Sequence, residues 1–249
     1  MEQPRPETRP RLAHAVLDEP SRILKARKIV TLLGHDTFAR ARRILEIGCG
    51  SGVIAATLAK MGSPGLEVFA VDVNDNRLTF DDYVFKQVEG TTLPFDAAMF
   101  DIVITNHVIE HVGGPGAQLH HLEEIARVLA PHGVAYLAVP NKWRLVEPHF
   151  RLPLLSWLPQ RLSDAYVRVL GRGSHYDCRP LGRREAVRLF ARAGFTDEDA
   201  TVEAIRSTLE IEFPGSKLLA FASRHLPDAL FRLCMPVIPT MIFRLRARS

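Results

Sequence analysis

The chain has few cysteines, no long apolar run and no recognisable export signal. Its three cysteines, Cys49, Cys178 and Cys234, are odd in number and far apart, which fits neither a zinc-site spacing nor a disulfide framework. No stretch reaches the roughly 18 uncharged apolar residues of a membrane span. The N-terminus is rich in Pro, Arg and Glu and has no apolar centre, unlike a secretory signal. Together these absences favour a cytoplasmic protein.

The charge of the chain is only mildly basic. Its formal net charge is +4 and its pI is about 9.1, and the Lys and Arg residues are spread out with no platform of interleaved aromatic residues. The sequence therefore predicts no nucleic-acid partner. Apolar residues make up 47% of the 249 positions, which is enough for a sizeable core. That length suits one α/β domain with additions.

A glycine-rich stretch, Ile44 to Gly52, is the strongest local signal in the chain. A short apolar run ends in Gly48, Gly50 and Gly52, and a helical pattern begins at once. This order is typical of a buried parallel strand that passes through a tight turn into a helix. Glycine suits such a turn because it adopts positive φ and lets a ligand approach the backbone.

A second apolar strand ends in a carboxylate about twenty residues later, at Asp72. In a doubly wound sheet these two strand ends lie side by side at the switch point, where ligands bind. A carboxylate there can accept both hydroxyls of a ribose, so the pair predicts a nucleoside-containing ligand. The dinucleotide fingerprint needs its third glycine one residue later, where this chain has Val53. The spacing thus argues against an NAD-dependent oxidoreductase.

The stretch resembles motif I of the class I S-adenosylmethionine-dependent methyltransferases, including the acidic Glu46 two positions before the first glycine. The later run from Leu93-Pro94-Phe95 through FDIVITNHVIEHV, which starts at Phe100, is similar to one branch of that superfamily. This branch includes quinone-biosynthesis and many small-molecule methyltransferases. The resemblance covers roughly residues 40–140 and implies S-adenosyl-L-methionine as cofactor.

The resemblance also implies roles for single residues. Asp72 would bind the ribose, Glu46 would orient the glycine turn, and Cys49 would be a small filler and not a nucleophile. The loop after the third strand would flank the adenine, and the end of the fourth strand would lie beneath the methionine portion. The cofactor-binding set implied in this way is Glu46, Gly48, Cys49, Gly50, Gly52, Asp72, Val73, Glu89, Gly90, Thr91, Asn106 and His107.

The expected fold is α/β, a doubly wound, Rossmann-like and mostly parallel seven-stranded sheet with an antiparallel last strand, plus helical lid insertions. Residues 1–20 are expected to be flexible, and residues 21–249 to form one methyltransferase domain with insertions at about 141–180 and 207–238. The predicted strands are 43–47, 67–72, 83–88, one starting at Phe100, 134–139, 195–205 and 240–245. The predicted helices are 21–38, 52–61, 74–83, 118–129, 158–170, 181–194, 216–225 and 227–235.

Three histidines are candidate catalytic bases, because the unperturbed pKa of histidine is about 6.5. His111 follows the fourth strand, four residues after His107, and the two could share one helical face. His149 and His175 lie in the predicted lid. Glu110 is not placed as in the zinc-protease motif, so no metal site is predicted. No Asn-Pro-Pro-aromatic motif follows the fourth strand, and the resemblance therefore favours an oxygen or carbon nucleophile.

Apolar stretches in the lid and between residues 216 and 243 leave two interpretations open. Flanking arginines are typical of an interfacial helix on an anionic membrane, but buried helix packing produces the same pattern. In the first case the acceptor would be lipid-like and the protein would lie at the inner face of the membrane; in the second it would be a small molecule. A catalytically silent cofactor-binding or scaffold protein is the alternative outside enzymes.

Overall fold

The computed structural model describes residues 18–213 and 215–248. Helix α1 begins at Glu19, and the carboxylate of Asp18 accepts the Ser21 N–H at 3.2 Å and so caps the helix. The sequence predicts a flexible N-terminus over residues 1–20, whereas in the structure Asp18 caps α1 and residues 19 and 20 belong to the helix. For residues 1–17 that prediction lies outside the described residues.

A seven-stranded sheet forms the centre of the molecule, in the order β3-β2-β1-β4-β5-β7-β6. The strands are β1 (Arg43–Ile47), β2 (Glu67–Asp72), β3 (Val84–Gln87), β4 (Phe100–Asn106), β5 (Leu129–Pro140), β6 (Phe195–Asp199) and β7 (Thr240–Ala247). β7 is antiparallel to both of its neighbours, β5 and β6, and the other neighbouring strands pair in parallel. The predicted fold is confirmed, including the antiparallel last strand.

Helices cover both faces of this sheet, which explains why its central strands are apolar on both sides. The helices are α1 (Glu19–Leu33), α2 (His35–Arg40), α3 (Val53–Met61), α4 (Pro115–Val128), α5 (Gln160–Val169), α6 (Arg183–Arg192), α7 (Thr201–Ile211), α8 (Lys217–His225) and α9 (Asp228–Cys234). Leu45 and Ile47 of β1 pack on one side with α4 and α6, whereas Ile44 packs on the other with α1, α3 and α7.

Three predicted elements are broken, absent or cut short in the structure, and β5 begins at Leu129, earlier than the predicted residue 134. The helix predicted over 21–38 is broken at Gly34, whose φ of 90° ends α1 before α2 begins. The helix predicted over 74–83 is absent, because Asp75 accepts both the backbone and the side-chain N–H groups of Arg77 in a local turn that competes with a helix. The sixth strand ends at Asp199, whose carboxylate accepts the Thr201 N–H at 3.0 Å as α7 starts.

The lid insertion, residues 141–180, has a small core of its own. Two-residue strands pair Val146–Glu147 with Leu152–Pro153, and α5 follows. Six buried residues fill the space between them: Phe150, Leu152, Leu155, Val167, Tyr176 and Cys178. The lid starts and ends at one point, because Asn141 bridges to Leu181 beside the carboxyl end of β5.

The tail insertion was predicted over residues 207–238 and lies between β6 and β7. Its helices α8 and α9 are tied to α7 by Arg206. This guanidinium donates to the carbonyl oxygens of Ser223 and Leu226 and to the carboxylate of Asp228, and it lies 4.7 Å above the ring of Phe231. In the part of the chain that the structure describes, no helix is long and apolar enough to cross a membrane.

Candidate functional site

The glycine-rich turn links the carboxyl end of β1 to α3, and all three of its glycines have positive φ. The values are 73° at Gly48, 52° at Gly50 and 75° at Gly52. A Cβ on Gly48 would clash with a methyl group of Val108, and a Cβ on Gly52 would clash with the hydroxyl of Tyr83. The protein itself therefore fills the space that two of these glycines leave, which fixes the glycine turn against the segment after β4 and the segment before β3.

Asp72 joins this turn to the end of β2. Its Oδ2 accepts the Gly50 N–H at 2.8 Å, and its Oδ1 accepts the Asn74 N–H at 3.1 Å. Each carboxylate oxygen has a second lone pair, so Asp72 still has acceptor capacity for a ligand. Val73, next to it, is exposed. The two strand ends are thus adjacent, as the sequence predicts.

Glu46 is a buried carboxyl group on β1, on the face toward α1. Its Oε2 has no hydrogen-bond partner. Burial raises the pKa of Glu46 to about 8. The positive charge of Arg22 on α1 lowers this pKa, and the negative charge of Asp72 raises it further. An unsatisfied carboxyl oxygen beside the glycine turn is a group that an incoming cation would stabilise.

Cys49 is buried within the turn. Burial raises the pKa of its thiol, and the negative charges of Glu46 and Asp72 add to that effect. The thiolate, which is the nucleophilic form, is therefore disfavoured. This agrees with the interpretation of Cys49 as a small filler.

The loop after β3 lies beside the same edge of the sheet. Val88, just before it, donates its N–H to the Asp72 carbonyl at 3.0 Å, which places Glu89 next to the end of β2. A Cβ on Gly90 would meet nothing within 4 Å, so the loop is open there. Thr91 is held from the other side, because its hydroxyl lies 2.6 Å from Nδ1 of His120 on α4.

Asn106 is the last residue of β4, and its Oδ1 is buried without a hydrogen-bond partner. The next six residues form turns and not the helix that would put His107 and His111 on one face. That prediction is wrong because His107 adopts a φ of 62°, in the left-handed region, where a right-handed helix cannot start. Both histidines nevertheless meet one carboxylate: Oε1 of Glu110 lies 3.3 Å from Nδ1 of His107 and 3.8 Å from Nε2 of His111.

Two of the three candidate bases meet where the lid contacts the turn after β4. The rings of His111 and His149 meet edge to face with centroids 5.8 Å apart, and Nδ1 of His111 lies 3.7 Å from Sγ of Cys178. His175 is exposed, and its Nδ1 lies 2.9 Å from the hydroxyl of the preceding Ser174. Among the described residues, no group of three or more His, Cys, Asp or Glu side chains has an arrangement that could hold a metal ion.

Sequence reasoning missed the buried acidic and basic groups that support this region. Glu147 accepts from the guanidinium of Arg144 at 2.5 Å and from the Phe150 N–H at 2.7 Å, and the second bond closes a turn around His149. Glu110 was noticed only as a poor match to a zinc motif. The spacing His-x-x-Glu-His was the one available signal that Glu110 contacts both histidines. The left-handed conformation of His107, which brings these side chains together, is not visible in a sequence.

Comparison with known proteins identifies relatives of the central region. Residues 45–137 match the family model described as a methyltransferase domain. The chain is similar to the ubiquinone biosynthesis O-methyltransferase of Bartonella tribocorum, with 26% identity over 137 residues that cover 49% of this chain and 52% of that protein. The chain spans about half the length of the curated relatives it matches.

Solved structures agree on the fold. An S-adenosylmethionine-dependent methyltransferase from Methanosarcina mazei superposes with a TM-score of 0.54 at 18% identity, covering 86% of this chain and 97% of that one. A [4+2]-cyclase superposes with a TM-score of 0.54 at 15% identity, covering 90% and 82%. At such identities the likeness shows the fold alone, because one fold can support several chemistries.

Proposed function

We propose that this chain, whose residues 45–137 match the family model described as a methyltransferase domain, is a class I S-adenosylmethionine-dependent methyltransferase that transfers a methyl group to an oxygen or carbon of a small or lipid-associated acceptor. The observation that carries the proposal is the contact between Asp72 and the Gly50 amide. It brings a carboxylate with remaining acceptor capacity to a glycine turn at the switch point of the sheet, where nucleosides bind.

The cofactor, when bound, supplies a methyl group that is already activated on a sulfonium. Asp72 would accept hydrogen bonds from the ribose hydroxyls, and residues 89–91 would flank the adenine. Glu46 has a buried oxygen without a partner, which fits a nearby cationic amino group, because that charge would favour the ionised carboxylate. Asn106 and His107 would lie beneath the methionine portion. The remaining task of the protein is to hold the acceptor in line, which can contribute about 7–11 kcal/mol.

Calorimetry can separate this function from its rivals. We expect the protein to bind S-adenosylhomocysteine and not NAD, and binding of NAD alone would favour an oxidoreductase. Methyl-labelled S-adenosylmethionine is then incubated with the protein and a cell extract from the source organism. Label in an extracted product supports transfer, whereas cofactor binding with no labelled product would favour a silent scaffold.

The acceptor is proposed to be lipid-like and to be reached at an anionic membrane surface, with the protein in the cytoplasm at the inner face. Three large apolar side chains of α8 and α9, Leu218, Phe221 and Leu233, are exposed, and Arg224 and Arg232 beside them are exposed as well. Apolar side chains among arginines suit an interface with anionic headgroups.

Flotation with phosphatidylglycerol vesicles tests this contact. We expect the intact chain to float, and Leu218→Asp together with Leu233→Asp to abolish flotation. Leu78→Asp is the matched control, because Leu78 is also exposed but lies between β2 and β3. No flotation of the intact chain, or equal loss in the control, would contradict the membrane contact. Partition of labelled product into an organic phase would independently support a lipid-like acceptor.

A further inference from the structure

Glu110 is a buried carboxylate in the turn that follows β4, and it has a histidine on each side. Only 2% of the residue is exposed. Its Oε1 is closer to His107, at 3.3 Å from Nδ1, than to His111, at 3.8 Å from Nε2. The first distance is that of a long hydrogen bond, and the second permits attraction between charges only. Oε2 has no hydrogen-bond partner, and the nearer of the two histidines to this carboxylate is His107.

The surroundings keep Glu110 ionised. Burial opposes this, but the hydrogen bond from His107 and the charges of His107 and His111 outweigh it, and the pKa of Glu110 is lowered. His121 on α4 also faces this carboxylate. Burial lowers the pKa of His121 to about 4, so it stays neutral near pH 7. From the lid, the Arg179 N–H donates to the backbone carbonyl of Glu110 at 2.8 Å.

His107 is held at both ends of its ring. With Nδ1 directed at Glu110, its Nε2 lies 3.4 Å from the hydroxyl of Thr240 at the start of β7. Its backbone N–H donates to Ala138 of β5 at 2.9 Å, which secures the left-handed conformation. About a third of the side chain, 34%, remains exposed. The ring therefore has a carboxylate at Nδ1 and a longer contact at Nε2, and the side chain as a whole is partly exposed.

We propose that His107 is the residue that takes the proton from the acceptor, at Nε2, and that Glu110 is its positioning residue; this rests on the methyl transfer proposed above. An acceptor hydroxyl would replace the long contact with Thr240. Its proton moves to Nε2, the electron pair of the former O–H bond stays on the acceptor oxygen and becomes available to the methyl group, and the imidazolium is stabilised by the Glu110 carboxylate. His111 faces His149 and Cys178 instead, toward the lid.

The tautomer of His107 tests the positioning role without any turnover. In protein labelled with ¹⁵N-histidine, we expect two-bond ¹H–¹⁵N correlations to show the neutral ring of His107 protonated at Nδ1, with the signal assigned by its loss in His107→Asn. Glu110→Leu removes the acceptor and should shift the ring toward the Nε2-protonated form. Glu123→Gln, on the exposed face of α4, should leave it unchanged. A wild-type ring protonated mainly at Nε2 would overturn the proposal.

The pH dependence of transfer tests the catalytic role, with a short-chain alkyl catechol as acceptor. His107→Asn should lower kcat at pH 7 by about 100-fold or more, while the affinity for S-adenosylhomocysteine changes less than about threefold. The deficit should shrink as the pH approaches about 10, where a phenolic hydroxyl ionises unaided. Glu110→Gln, which keeps the size of the side chain, should show a smaller deficit of the same pH dependence, and His132→Asn none.

The two proposals fail in different ways. If S-adenosylhomocysteine does not bind to the wild type, the proposed function fails. If it binds and the catechol is methylated equally fast by His107→Asn at pH 7, only the role of His107 is overturned. If the loss in His107→Asn is the same at every pH or is explained by weaker cofactor binding, His107 is a cofactor-binding residue and not the proton acceptor. If the wild type does not methylate the catechol, the tautomer decides: a neutral His107 ring protonated at Nδ1, with Nε2 left to accept a proton, supports the proposal, and a ring protonated at Nε2 overturns it.

Discussion

Replacing Gly52 with alanine should destabilise the protein more than the same change at Gly90. Both residues have positive φ, 75° and 65°, and an L side chain in that region costs about 1–2 kcal/mol. At Gly52 the new Cβ would also clash with the hydroxyl of Tyr83 and lie 3.0 Å from the carbonyl oxygen of Thr79. Overpacking of this kind costs about 1–3 kcal/mol, so we expect a total of about 2–5 kcal/mol.

Urea unfolding without ligand measures the difference between the two variants. Gly90→Ala should lose only the backbone share, about 1–2 kcal/mol, because its Cβ would meet no atom within 4 Å. Adding Tyr83→Phe to Gly52→Ala removes the clashing oxygen and should restore part of the loss in a double-mutant cycle. The reasoning is refuted if Gly52→Ala loses no more free energy of unfolding than Gly90→Ala.

Two further predictions concern the carboxyl groups of the site. Asp72→Asn should weaken S-adenosylhomocysteine binding by about 10- to 100-fold, since hydrogen bonds to a charged group are worth about 1.5–3 kcal/mol. Calorimetry should show no such loss for the control variant Asp81→Asn, because Asp81 is exposed. Unchanged binding by Asp72→Asn would refute the assignment of Asp72 to the ribose. Burial raises the pKa of Glu46 from 4.5 to about 8, so the folded state holds a proton that the unfolded chain releases. Relative to Glu46→Gln, the free energy of unfolding of the wild type should therefore fall as the pH rises from about 4.5 through about 8, by at most about 5 kcal/mol. Parallel profiles of unfolding free energy against pH for the two proteins would contradict the raised pKa.

Strands β1 and β2 could be predicted to the residue because their signals are local. β1 and β2 have the predicted bounds, 43–47 and 67–72, since each is a short apolar run that ends at a glycine turn or a carboxylate. The contact between Asp72 and Gly50 follows from that topology, because parallel strands bring their carboxyl ends to one edge of the sheet.

The errors arise where side chains compete with backbone periodicity. Residues 74–83 contain a polar pattern that could be helical, but Asp75 and Arg77 bind each other, and the Leu78 N–H donates to the Ser51 carbonyl at 2.8 Å across the glycine turn. The role of Glu110 was missed for another reason. Burial and distance, and not residue type, distinguish this glutamate from a solvated one, and both depend on how the lid and β5 pack around the turn.

Asn141 connects the two insertions through its hydrogen bonds. Its backbone N–H donates to Pro239, its side-chain amide donates to Met235 and Pro236 at the end of the tail, and its Oδ1 accepts the Trp143 N–H at the start of the lid. The lid and the tail are thus attached to the sheet at the same residue. Moving either segment away from the sheet must break these bonds or carry the other segment with it, so the positions of the lid and the tail are coupled through Asn141.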